Sequence, residues 1–182
     1  MVLMADIAAP PQTHITETMR AIVGNEMARL VSFPVSSSDI RRWAIAVYYP
    51  EPPPARFWDA EAAALSRYGG IVAPEEFNPF AWMPAEPKGR GPMAGAASNP
   101  DAIENTMGAE GPGLKNLLNG GILLEYGVPM RLGDVITSTT TLAEYRERPG
   151  SLGLMLFTNT KTVWTNQNNE VVKNTLSTII RY

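Results

Sequence analysis

The chain has 182 residues, 45% of them hydrophobic, which is enough for one domain with a real core and short for two. Formal net charge is −3 and no basic stripe runs along the sequence, which sets nucleic acid aside as a partner. Cysteine is absent and His14 is the single histidine, so disulfides, thiolate chemistry and multi-histidine metal sites are excluded together.

Met1 to Gln12 lacks the basic and apolar regions of a secretory signal, and residues 1–14 are expected as a flexible tail. His14 reads as a solvated residue near a helix start. No apolar run is long enough to span a membrane, and a cytoplasmic setting is the default expectation. One domain is expected over residues 15–182.

Thr16 to Val23 reads as a short helix closed by Gly24, and Met27 to Val35 as a strand. Ser36 and Asp39 have capping-box spacing, with Asp in place of the usual Glu or Gln. Ile40, Trp43, Ala44 and Val47 follow at helical intervals, with Arg41 and Arg42 on the other face. That helix must stop at Tyr48-Tyr49-Pro50, because a residue before proline disfavours the α region. Pro50 to Pro54 is a stiff connector, and Asp59 to Tyr68 is helical again. Pro74, with Glu75 and Glu76 behind it, predicts the first turn of a third helix, cut short at Asn78-Pro79. Residues 84–118 form a long Gly/Pro-rich loop of the kind that covers a site.

The last third is organised as a sheet. Gly121 to Val128 predicts a first strand, and Val135 to Leu142 alternates β-branched residues from the start of a second. Leu132-Gly133-Asp134 reads as a turn between them. Leu152 to Gln167 is a long third strand, set off by Pro149-Gly150, and Asn168-Asn169 can turn it into Glu170 to Tyr182. The class is α+β, with helices on one face of an antiparallel sheet.

The segments Asp39 to Phe80, Asn119 to Val135 and Thr162 to Arg181 together resemble the MaoC-type hot-dog dehydratases, in particular their FAS1-like N-terminal branch. The resemblance implies a sheet wrapped around a central helix, and acyl thioesters of coenzyme A or acyl carrier protein as substrates, with no further cofactor or metal. It also implies an Asp-x-Asn-Pro-x-His run after the first long helix, whose Asp and His act as general acid and base. The matching stretch here, Val47 to Trp58, contains neither residue. The family holds the thioester oxygen with a backbone N–H at a place that falls on Val72 to Glu75, and Pro74 there has no N–H to give. In this respect the chain resembles the substrate-holding subunit of heteromeric (3R)-hydroxyacyl-thioester dehydratases, whose partner bears the Asp and His.

No catalytic residue is therefore assigned, although Glu51 in the connector and Glu125 on a strand are carboxylates that could replace a lost base. Glu61, Glu75 and Glu76 read as exposed or helix-terminal. Trp58, Phe77, Phe80 and Trp82 border the long loop and are candidates for an acyl tunnel, while Trp43 reads as core. Pro74, Asn119, Gly120 and Gly121 complete the candidate substrate-binding set, the glycines either admitting a ligand to the backbone or simply starting a strand. Lys88, Arg90 and Lys115 are basic residues of the loop that could meet coenzyme A phosphates.

The expected function is an acyl-thioester-binding subunit of an enoyl-thioester hydratase or 3-hydroxyacyl dehydratase, paired with a MaoC-like catalytic subunit. A homodimer would serve the same exposed sheet edges. The alternatives are a stand-alone hot-dog thioesterase or hydratase using a glutamate, and an acyl or lipid carrier without chemistry.

Overall fold

The computed structural model describes residues 13–83 and 99–182. Five strands form one antiparallel sheet: β1 (Glu26–Val31), β2 (Leu117–Tyr126), β3 (Thr137–Gly150), β4 (Gly153–Thr165) and β5 (Val171–Arg181). Their order is β1-β3-β4-β5-β2, so β1 and β2 are the two edges. The long hairpins of the last third build the centre, and the earlier strands add at its sides.

Local chemistry sets the hairpins. β3 runs on through Pro149-Gly150 instead of ending there, and turns at Ser151-Leu152, where Gly153 takes a φ of +96°. At the second turn Asn169 has a φ of +63°, as the Asn168-Asn169 pair predicts. The Asn166 side chain ties that loop by accepting from the amides of Asn168 and Glu170, each at 3.0 Å.

The helices are α1 (Glu17–Ala21), α2 (Ser37–Tyr48), α3 (Ala60–Ala64) and α4 (Ala102–Thr106). α2 starts as predicted: the Ser36 hydroxyl accepts from the Asp39 amide at 3.1 Å and donates to the Asp39 carboxylate at 2.7 Å. Its inward residues Ile40 and Ala44 are fully buried among Val35, Phe57, Val72, Phe77, Met130, Ile136 and Val172. Trp43 packs edge-on to Phe77, with ring centroids 5.7 Å apart. A second, smaller core joins Ile22, Ile103, Ala109 and Leu142.

Several other sequence expectations change. The third helix does not form: Pro74 to Phe77 is a turn closed by the Phe77 amide on the Pro74 carbonyl at 2.9 Å. The Asp59–Tyr68 helix is confined to α3, capped by Asp59. Val135 and Ile136 precede β3, and Ile136 meets Ser32 just past β1: its amide donates to the Ser32 hydroxyl at 2.9 Å and its carbonyl accepts from the Ser32 amide at 2.8 Å. The expected loop 84–118 contains α4 and the start of β2 in its described part.

α4 is fixed by a buried charge network that propensity does not reveal. Arg181 donates to both oxygens of Glu104, at 2.7 and 2.9 Å, and also to Asp101, the Pro100 carbonyl and Thr158. Tyr145 donates to Glu104 at 2.6 Å. At the N-terminal end Thr13 donates to Glu147 at 2.9 Å, and His14 lies against Glu147 and the Leu154 carbonyl. His14 is thus docked on the β3–β4 hairpin, half-buried, instead of free in solvent.

Candidate functional site

Among the described residues a cavity of about 420 Å³ opens where the end of α2, the turn after Ile71 and the ends of β2, β4 and β5 converge. Val47, Tyr48, Arg56 and Phe57 form one wall, and Val72 to Glu76 another. These are the two stretches on which the sequence resemblance sets the acid/base run and the thioester-oxygen holder. Tyr126 to Met130, Trp164, Val172 and Lys173 complete the lining. The size is in the range of small-molecule sites.

Backbone groups on the second wall are committed elsewhere. The Ala73 amide donates to the Met130 carbonyl at 2.8 Å, inside a bridge between Val72 and Arg131. Pro74 lines the cavity and has no N–H. Among the described residues the lining carries no aspartate and no histidine; its carboxylates are Glu75 and Glu76, both exposed.

Lys173 is the buried cation of the site, 8% exposed. Its Nζ lies 4.1 Å from the Trp164 ring centroid, 5.9 Å from that of Tyr126 and 4.0 Å from Glu76 Oε2. Tyr126, Lys173 and Trp164 are direct partners across β2, β5 and β4, so one row of the sheet supplies all three. The register shifts beside Trp164/Thr165, and both Val172 and Lys173 are buried there, as a bulge permits. Burial lowers the Lys173 pKa from its ordinary value, and Glu76 offsets only part of that.

Of the residues singled out from sequence, Pro74 reaches the cavity wall. Phe77 is core against Trp43, and Phe80 backs the cavity by packing edge-on to Trp164 at 5.2 Å. Trp58 and Trp82 are about half exposed, and the Trp58 indole donates to the Pro53 carbonyl at 3.1 Å. Asn119, Gly120 and Gly121 sit on β2 five to seven residues from Tyr126, or about 17–23 Å along the strand. They form a bulge in which a Cβ on Gly120 would meet Thr178 Cγ2 at 2.7 Å, so the strand reading of these glycines is the one realised. Gly133 makes the turn expected at Leu132 to Asp134, with a φ of +87°.

Glu51 is exposed in the connector and outside the cavity lining. Glu125 lies one residue from Tyr126 and so points to the opposite face of β2, where it borders a shallow depression with Lys161 and Leu176. Glu61 and Lys115 are exposed, and Lys88 and Arg90 lie outside the described residues.

Sequence reading missed Lys173, Trp164, Tyr126, Arg56 and Arg67, all of which line the cavity. A lysine within a β-branched strand was the available signal. Among the described residues no helix is long and apolar enough to cross a membrane, and no group of three His, Cys, Asp or Glu side chains could hold a metal.

A family model described as "FAS1-like, dehydratase domain region" matches residues 21–175. No curated protein is matched by the sequence. Among solved structures, the ChsH1-ChsH2 complex of Mycobacterium tuberculosis is similar at 18% identity and a TM-score of 0.66, over 92% of this chain and 90% of that one. A structure described as a MaoC-like dehydratase is 22% identical with a TM-score of 0.56, over 89% of this chain and 42% of that one. The unliganded R-hydratase PhaJ1 of Pseudomonas aeruginosa is 19% identical with a TM-score of 0.52, over 87% of this chain and 81% of that one. The fold is the hot-dog fold, with Ile40 and Ala44 of α2 sharing one core cluster with Ile136 and with Val172 of the antiparallel sheet.

Proposed function

Because the chain belongs to the FAS1-like dehydratase-region family, we propose that it is the acyl-thioester-binding subunit of a heteromeric enoyl-thioester hydratase or 3-hydroxyacyl dehydratase. A MaoC-like partner subunit brings the Asp and His that move protons. The observation that supports this reading is the cavity itself: it is lined by the two stretches on which the sequence resemblance sets the family's chemistry, yet among the described residues its walls bear no Asp or His, and its Pro74 lacks an amide hydrogen. Adding water across a double bond needs a group to give a proton and a group to take one at the reacting carbons. The thioester, carried by coenzyme A or acyl carrier protein, needs no metal or other cofactor here. A cytoplasmic setting belongs to the same reading.

Partner docking is assigned to β2. It is an edge strand, every residue of which is exposed, and it presents Leu117, Leu118, Ile122, Leu123 and Leu124 beside unpaired backbone groups. Pairing with the edge of a second hot-dog subunit removes both liabilities. The similar ChsH1-ChsH2 structure is itself a two-protein complex, which supports a mate of this kind.

Glu75 and Glu76 favour a second reading, a stand-alone hydratase or thioesterase, because they are the carboxylates at the cavity rim. Glu75→Gln and Glu76→Gln separate the two. In a stand-alone enzyme one of them abolishes turnover by the isolated chain; in a binding subunit there is no such turnover to abolish. The experiment that tests the main reading is co-purification with the product of the neighbouring dehydratase gene, followed by an enoyl-coenzyme A hydration assay on the complex.

A further inference from the structure

We infer that the cavity takes an acyl group bearing a carboxylate of its own, and that the Lys173 ammonium pairs with that carboxylate. This rests on the thioester-binding reading and adds the class of acyl chain.

Lys173 is nine-tenths buried and turned into the cavity. Its nearest described carboxylate oxygen, on Glu76, is 4.0 Å away, well beyond the roughly 2.7–2.9 Å of a charge-assisted hydrogen bond. Glu76 is also 58% exposed, so water competes for it. The faces of Trp164 and Tyr126 attract the ammonium without accepting its hydrogens as an oxygen does. Among the described residues this largely buried ammonium has no hydrogen-bond acceptor within reach, and a bound anion would supply one.

The rest of the lining selects the kind of anion. Val47, Phe57, Val72, Val128 and Met130 are apolar and suit a hydrocarbon chain. Around them, among the described residues, Arg56, Arg67 and Lys173 stand against Glu75 and Glu76, three cations to two carboxylates, which leaves one positive charge. That balance fits a single carboxylate better than a doubly charged phosphate. A wholly neutral acyl chain would cover the ammonium and give it nothing.

The test compares adipoyl-coenzyme A with hexanoyl-coenzyme A, equal in chain length and differing in the terminal carboxylate, by calorimetric titration of the full chain at pH 7. Wild type is expected to bind adipoyl-coenzyme A at least tenfold more tightly. Lys173→Met brings the ratio to about one, and Lys173→Arg keeps a preference. Equal affinities in wild type overturn the inference and leave the thioester reading standing, whatever the variants do. If neither thioester binds, the thioester reading fails, and free adipate decides the anion site. Binding of adipate by wild type but not by Lys173→Met upholds that site, and no binding overturns it as well.

Discussion

Glu104 on α4 and Arg181 at the end of β5 are joined through 2.7 and 2.9 Å hydrogen bonds with both side chains out of water. The pair spans 77 positions of sequence and fastens the only described helix between α3 and β2 to the sheet. Removing one partner leaves the other charge buried, so Glu104→Ala should cost about 3–5 kcal/mol in urea denaturation. Replacing both by methionine should cost less than either single change, because neither member of the pair is then left charged and fully buried, and Asp101, which also loses Arg181, keeps some exposure to water.

The same pair sets an acid limit. Burial alone would raise the Glu104 pKa, but the hydrogen bonds from Arg181 and Tyr145 outweigh it and hold the carboxyl below its ordinary value. A carboxyl depressed on folding adds stability that is complete above the ordinary carboxylate range and is lost as pH falls through the folded value. Urea midpoints of the wild type should therefore fall below about pH 4.5, with a shallower fall in Glu104→Gln.

Gly127 follows β2 at the cavity wall, and a Cβ there would lie 2.0 Å from the Val171 carbonyl oxygen. The Gly127 and Val128 amides each donate at 2.9 Å to β5, so the backbones cannot part without losing bonds. Gly127→Ala should destabilise the chain by about 1–3 kcal/mol, in the range of a backbone clash, and weaken acyl-thioester binding with it. Thermal unfolding and titration on one sample check both.

Edge strand β2 is expected to carry the partner. Ile122→Lys with Leu123→Lys should abolish co-elution with the MaoC-like subunit in size-exclusion chromatography. The stability of the isolated chain should change by no more than about 0.5 kcal/mol per site, since both side chains are already exposed. Retained co-elution would move the interface elsewhere.

Neither Glu51 nor Glu125 lines the cavity. Glu51→Gln and Glu125→Gln should leave the hydration rate of the assembled complex within twofold of wild type. A loss of a hundredfold in either, the scale of a removed general base, would restore that residue as catalytic.

Much of the fold is legible in the sequence because its signals are local. The Ser36 cap, the spacing of Ile40 and Ala44, and the Asn168-Asn169 turn act over a few residues, and each appears where expected. Pro74 misleads because a proline that can open a helix also suits a turn, and the contact of Val72 with Arg131 draws the chain into a bridge instead. The site is hidden by sheet parity. In β5, strict alternation would put Val172, Leu176 and Ile180 on the core face, yet Leu176 and Ile180 are only half-buried, while Lys173 and Arg181 are buried along with Val172. A bulge at the head of the strand and a carboxylate arriving from α4 reverse the choice, and neither is visible from alternation alone.

Hydration of crotonyl-coenzyme A, followed as loss of the enoyl absorbance, tests the central claim most directly. The isolated chain should proceed no faster than buffer, and addition of the MaoC-like partner should yield turnover that neither protein gives as fast alone. Robust hydration by the isolated chain would contradict the account.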